Sequence, residues 1–585
     1  MAPHEAPRSP CGVCRNVTRG TPAGLTRFPE SLNLTMDSFR LITGAVFAIT
    51  VFMLFDAWMR ERAPAPPAPQ AQQSVPVAQT PPAPSVSVGA ATGTAAPTLP
   101  GQGSAESAGQ RIRVRTDTLS VEIDTNGGFV RHVELLQHRA RDHADQNFVL
   151  LDAAGQHTYV AQSGLATPGL PNHNFRFIAE NTEYSLAPGG NEVKVVLHAR
   201  GEAGTLQKTF TFKRGSYLID VDLAVTNTGS QPLDAHAYFQ LVRDQSPPDG
   251  ASKVMPTYNG VEIYTDEQKL TKVTFEDAAE GDAKFPSRST NGWVAIVQHY
   301  FLAAWLPAAG VEREFFVRKL DNGLIAAGVI VPIGSIEPAA TKSYGIPLYV
   351  GPQEQDRLQG LTPGLELAVD YGWLRVLAVP LFWVLSKIHD YVNNWGVAII
   401  ILTVLIKLAF YPLSAASYKS MARMKVVAPK LQKLKERYGD DRQKLHQAMI
   451  ELYKTEKINP LGGCLPIVVQ IPVFIALYWV LLLSVELRHA PFYLWIKDLS
   501  TPDPYYILPV LMGATMFIQT WLNPTPPDPM QARLMKIMPI AFSIFFFFFP
   551  AGLVLYWLVN NVLSIAQQWH ITRTIERAKT AHGAA

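Results

Sequence analysis

The sequence predicts a polytopic α-helical membrane protein with six transmembrane helices and one large all-β domain outside the bilayer. Several apolar runs reach the ~20 residues a helix needs to cross a hydrocarbon core of roughly 30 Å. Residues 111–365 instead alternate apolar and polar side chains with a period of two. A segment rich in Lys and Arg then separates two of the apolar runs and sets which loops face which side.

The 585 residues carry a formal net charge of +3 and are 48% apolar, enough for a globular domain beside a membrane bundle. Cys11, Cys14 and Cys464 give no disulfide framework. Cys11 and Cys14 have CxxC spacing, but only His4 stands near and a closed metal site needs four ligands. No metal or cofactor is expected. The chain shows no HExxH, no GxSxG, no P-loop and no aspartate pair within an apolar run, so no catalytic residues and no enzyme activity are expected.

Residues 1–35 are polar and rich in Pro and Arg. Two readings stay open for them: an upstream mis-call with the start at Met36, or a genuine polar extension. Residues 36–60 hold Arg40, an apolar run from Leu41 to Phe55, then Asp56, Trp58 and Arg60. No small-residue cleavage motif follows, so this is an uncleaved transmembrane anchor. Residues 61–110 are Pro, Ala, Gln, Ser and Gly with few large apolar side chains, too little to offset ordering entropy; they form a disordered linker.

In residues 111–365, Leu119, Val121 and Ile123 alternate before an Asn-Gly turn. Tyr217, Ile219, Val221, Leu223 and Val225 alternate before another. This pattern, with Asn, Asp, Gly and Pro punctuation, reads as antiparallel β-structure of a length that suits one large sandwich. "GWVAIVQHYFLAAWLP" (Gly292 to Pro307) reads as two buried strands.

Residues 366–393 mix apolar side chains with Arg375, Lys387, His389 and Asp390, as a helix lying in the membrane interface does; a spanning helix is the runner-up. Further spans are expected at 394–413, 463–485, 505–522, 534–550 and 551–569, with a loop over 486–504. Segment 414–462 holds eleven Lys or Arg against five Asp or Glu, which places it in the cytoplasm. Alternation then puts the β-domain outside and both termini, including the tail 570–585, inside. Within 414–462, Val427, Leu431 and Leu434 on one arm and Leu445, Met449 and Leu452 on the other predict a helical hairpin, turned and capped by "YGDD" at Tyr438–Asp441. Its basic outer faces are either a topology signal or a docking arm.

Lys407 lies inside the run "WGVAIIILTVLIKLAFYPL". A cation at such depth costs about 2.5–3.5 kcal/mol and faces protein, water or ligand rather than lipid. No carboxylate stands in the core of another apolar run. From its place roughly 9 Å inside the cytoplasmic end, Lys407 either snorkels to the interface or lines a water-filled pocket. Thr403, Gln470, Thr515, Gln519, Asn560, Asn561, Ser564 and Gln567 are the other polar residues of the spans. Most of them suit ordinary bonds across helix contacts.

"YPLSAASYKSMARMKVVAPKLQKLKERYGDD", "INPLGGCLPIVVQIPVFIALYWVL", "SVELRHAPFYLWIKDLSTPDPYYILPVLMG" and "PAGLVLYWLVNN" resemble the YidC family of membrane-protein insertases over about Trp373 to Gln568. The anchor, linker and external β-domain resemble its Gram-negative form. The resemblance implies a five-helix insertase core in the cell inner membrane, with a periplasmic β-supersandwich of sugar-mutarotase type and no sugar chemistry. It implies a hydrophilic groove open to the cytoplasm, in which a cation attracts acidic parts of entering substrates. Many members have Arg where Lys407 stands, so charge is kept and the planar fork lost. Thr403, Gln470, Tyr556 and Trp557 become groove candidates, Trp557 replacing a second Tyr of many members. Ile467, Ile471 and Phe474 become a candidate hydrophobic slide, with the Phe545–Phe549 run beside them or facing lipid. Implied partners are nascent inner-membrane proteins, the Sec translocon and membrane lipids, with the ribosome or the signal recognition particle receptor as candidates for the hairpin; no direct nucleic-acid binding is implied. The expected function is insertion and chaperoning of inner-membrane proteins, alone or with the translocon. Two other readings are a transporter or channel using Lys407 as an anion site, and an outer-face carbohydrate-binding protein on a passive anchor.

Overall fold

Along Leu218–Asn227 the side chains of Ile219, Val221, Leu223 and Val225 turn inward and are buried, and their neighbours turn outward. A pleated strand does this because successive Cβ atoms point to opposite faces. In the computed structural model of the chain, residues 99–100, 109–141, 145–153, 157–248, 257–439, 441–456, 465–523 and 529–583 are described. The expected anchor over 36–60 and Cys464 lie outside them.

Such strands make two sheets. The first runs from Arg288–Ser289 through Arg313–Lys319, Ile325–Ile336, Leu233–Arg243 and Tyr159–Leu165. It continues through Phe129–Arg139, Leu119–Asp124 and Arg111–Arg115 to Glu183–Ser185, with Asn147–Leu151 paired to Phe129–Arg139. The second runs from Lys269–Thr274 through Gly260–Thr265, Trp293–Gln298, Phe301–Trp305 and Thr341–Pro352 to Leu218–Asn227, Gly204–Lys213, Glu192–Arg200 and Ile178–Ala179. Pairing is antiparallel except between Arg111–Arg115 and Glu183–Ser185. Gly292 to Pro307 is indeed two buried strands, Trp293–Gln298 and Phe301–Trp305.

The sandwich interior is not wholly apolar. Lys208 is fully buried, and its Nζ donates to Gly128 O and Ser163 O, each at 2.8 Å. Burial pulls this ammonium down to about 7. With backbone carbonyls as its partners, Lys208 braces the turn at Gly127 and Gly128 against the opposite sheet.

The helices of the C-terminal part follow. They are α1 (Arg375–Val392), α2 (Trp395–Ala409), α3 (Tyr411–Tyr438), α4 (Arg442–Thr455), α5 (Leu465–Leu483), α6 (Ile507–Leu522), α7 (Pro529–Phe545) and α8 (Ala551–Gly583). The sheets and these helices belong to one compact unit, Ala90–Arg437 with Ala448–Ala585, except for Tyr438 at the end of α3 and Arg442–Gln447 at the start of α4, which fall in another. Asn393 in the left-handed region turns α1 into α2, and the Asn394 side chain caps α2 by accepting from Val397 N at 3.0 Å. In α4, Asp441 accepts from Lys444 N at 3.1 Å, as an N-cap does. Lys430 of α3 pairs with Glu456, just past α4, at 2.6 Å.

Among the described residues no single helix is long and apolar enough to cross a membrane. α2 and the first part of α3 (to Met424) have the length and composition together, but they are bent by 66° at Phe410. Within the span expected over 394–413, α2 ends at Ala409. Pro412 has no N–H to give the Leu408 carbonyl, and its ring disfavours continuation. α1 buries Ala378, Phe382 and Leu385 against its neighbours, yet leaves Val376 82% and Trp383 61% exposed. It is apolar on both sides, which water does not favour.

Candidate functional site

Gly396, Ile399, Thr403, Ile406 and Lys407 form the buried stripe of α2, while Leu405 and Leu408 face outward. The three- and four-residue spacing of that stripe places Lys407 inside the bundle, where it is 5% exposed. Its Nζ donates to Ser564 Oγ on α8 at 2.8 Å. Ser564 Oγ donates in turn to Asn560 O at 2.7 Å. One helical turn away, Gln470 Nε2 of α5 donates to Asn560 Oδ1 at 3.1 Å. Three helices thus meet in one chain of polar groups. Among the described residues no carboxylate pairs with Lys407.

Thr403 takes a different part. It is buried, and its hydroxyl donates to Ile399 O of its own helix at 2.6 Å, which leaves only its lone pairs for other groups. Phe474 lies 6.0 Å from Tyr556 in a stacked arrangement and 4.5 Å from Trp557 at 64°. Phe546 lies 5.5 Å from Trp557, edge to face. The Trp557 indole Nε1 is buried, and among the described residues no group accepts its hydrogen. Ile471 is half-buried. Ile467 falls in the first turn of α5, and its side chain lies outside the described set.

The structure therefore gathers Lys407, Gln470, Tyr556, Trp557 and Phe474 around one face of α8. Ser564 and Asn560 hold the polar part together, although the sequence offered them only as ordinary polar residues of a span. Their signal was periodic: Tyr556, Asn560 and Ser564 recur every four residues on one helix face.

The family model of the YidC periplasmic domain matches residues 111–384, and that of the 60Kd inner membrane protein matches residues 387–579. A membrane protein insertase YidC from Methylobacillus flagellatus is 53% identical over 546 residues, which is 93% of this chain and 98% of that protein. One from Nitrosospira multiformis is 50% identical over 556 residues, 92% of this chain and 98% of that protein. An active YidC insertase crystal structure with its first transmembrane domain resolved is similar at a TM-score of 0.36 and 19% identity, over 79% of this chain and 92% of that one. The class is thus a membrane protein with a β-sheet-rich periplasmic domain. The chain belongs to the YidC family of membrane protein insertases.

Proposed function

We propose that the protein inserts and helps fold inner-membrane proteins, alone or beside the Sec translocon, by drawing acidic or polar substrate segments to Lys407. The carrying observation is a buried ammonium whose described partner is a neutral hydroxyl, Ser564, rather than a carboxylate. A buried charge without a counter-charge is costly unless a partner arrives, and here the substrate supplies it. Gln470, Tyr556, Trp557 and Thr403 offer further polar contact, and Ile467, Ile471 and Phe474 an apolar path. The named activity of relatives about half identical along nearly the whole chain supports insertion and sets the anion-transporter reading aside.

The proposed layout is an anchor at 36–60, a linker at 61–110, the periplasmic β-supersandwich at 111–365 and an interfacial helix at 366–393. Five core spans then follow at 394–413, 463–485, 505–522, 534–550 and 551–569, with both termini cytoplasmic. The basic segment 414–462 supports that orientation, and the apolar outer face of α1 supports contact with lipid. The hairpin is proposed to receive the ribosome or the signal recognition particle receptor. The test is insertion of a one-span protein with an acidic translocated segment, in cells depleted of the native insertase. Lys407→Arg should sustain insertion and Lys407→Ala should not. Equal insertion by both variants and the wild type would sink the charge argument.

A further inference from the structure

The Ser564 hydroxyl is fixed in one sense. A hydroxyl has one donor hydrogen and two acceptor lone pairs. The hydrogen is spent on Asn560 O, four residues back along the same helix, at 2.7 Å. Only lone pairs remain, and one of these receives Lys407 Nζ at 2.8 Å. Lys407 in contrast has three donors, and among the described residues one is taken. Ser564 thus fixes the end of a flexible four-carbon stem while contributing no charge. Alanine would release that ammonium. Aspartate would hold it and cancel it.

We propose that Ser564 is a positioning residue for insertion: it holds the Lys407 ammonium in place with its charge uncompensated, so that an acidic substrate segment meets a cation already aimed. The proposal rests on the reading of Lys407 given above. It adds a specificity rule. Dependence on Ser564 follows the acidity of the substrate, not its hydrophobicity, because the hydroxyl acts only through the ammonium.

The test uses the full chain in cells depleted of the native insertase. Two forms of a one-span substrate are followed: one with acidic residues in its translocated segment, one with those residues changed to their amides. Ser564→Ala should lower insertion of the acidic form roughly ten-fold, the scale of one lost hydrogen bond to a charged group, and spare the amide form. Ser564→Thr keeps a hydroxyl and should insert both forms. Ser564→Asp should fail on the acidic form although the lysine is held. The double variant Lys407→Ala with Ser564→Ala should do no worse than Lys407→Ala alone, because non-additivity marks residues that act as one unit. Equal loss on both substrate forms, or an added loss in the double variant, would show a packing role for α8 and overturn the proposal. Wild-type insertion by Ser564→Ala beside a defective Lys407→Ala overturns positioning alone. Wild-type insertion by Lys407→Ala overturns the reading of the lysine, and the positioning role falls with it. Amounts of each variant in the membrane, measured by immunoblot, separate misfolding from lost activity.

Discussion

The guanidinium carbon of Arg488 lies 5.2 Å from the ring centroid of Phe301, joining the loop after α5 to a strand of the second sheet. Phe148, stacked on Phe301 at 4.0 Å, takes the same guanidinium at 5.2 Å. His299 Nε2, one strand-end away, meets Leu482 O at 3.1 Å, and His489 Nε2 meets Arg139 O at 3.3 Å. Sheet and helices are therefore bonded through side chains and not merely tethered by chain. The helix-end carbonyl of Leu482, which has no partner within α5, gains one from the β-domain.

Arg488→Ala should loosen that junction. Partly buried cation–π contacts contribute about 1–2 kcal/mol, and two are lost here. Limited proteolysis of the detergent-solubilised chain should cut between Pro352 and Arg375 several-fold faster than in the wild type. Unchanged cleavage would mean that the contact adds nothing to docking.

The junction should also weaken in acid. Burial pulls the His299 imidazole down to about 4, from an ordinary 6.5. Between those values the unfolded chain takes up a proton that the folded chain refuses. The contribution is therefore complete above pH 6.5 and is lost as pH falls toward about 4, at ~1.4 kcal/mol per pH unit. His138 and His173 are lowered to about 4 in the same way and add to the slope. Melting followed from pH 7 to pH 4.5 should be less pH-dependent in His299→Gln than in the wild type; parallel curves would contradict the assignment.

Gly396 should not tolerate a side chain. A Cβ built there would stand 2.1 Å from Phe492 Cδ2 and 2.9 Å from Phe492 Cβ, so ring and loop would both have to move. Overpacking of this kind costs typically 1–3 kcal/mol. Gly396→Ala should lower the melting temperature, and shortening the obstacle with Phe492→Ala in the same chain should recover part of it. A double variant no better than Gly396→Ala would place the strain elsewhere.

Trp557→Phe removes a buried N–H that has no partner among the described residues and keeps most of the aromatic contact with Phe474 and Phe546. Stability should change by less than about 1 kcal/mol, since no hydrogen bond is broken. If that donor serves substrate, insertion should fall in the Phe variant and recover in Trp557→Tyr, which restores a polar tip. Full insertion by the Phe variant would remove Trp557 from the substrate path.

The β-domain was legible because one buried face imposes a two-residue period, as in Leu218–Asn227. Where both faces are covered the period is lost, and what remains is a plain apolar run such as Gly292 to Pro307. Tyr159–Leu165 is buried at every position, so Gln162 and Ser163 gave no outward signal, and Gln162 is satisfied by Gln240 from a strand far along the chain. Lys407 was legible as a cost, but its partner was not. Lys407 and Ser564 are 157 residues apart, and no local period encodes that pairing. The bend after Ala409 could have been read from Pro412, which outweighed the apolar run around it.

α8 extends without a break from Ala551 to Gly583, 33 residues. At 1.5 Å per residue it is about 50 Å long, some 20 Å more than a hydrocarbon core. It therefore behaves as a shaft. No glycine or proline lies between Gly552 and Gly583 to absorb a twist. A shift of α8 by one residue would rotate the Ser564 hydroxyl by roughly 100°, out of the reach of Lys407.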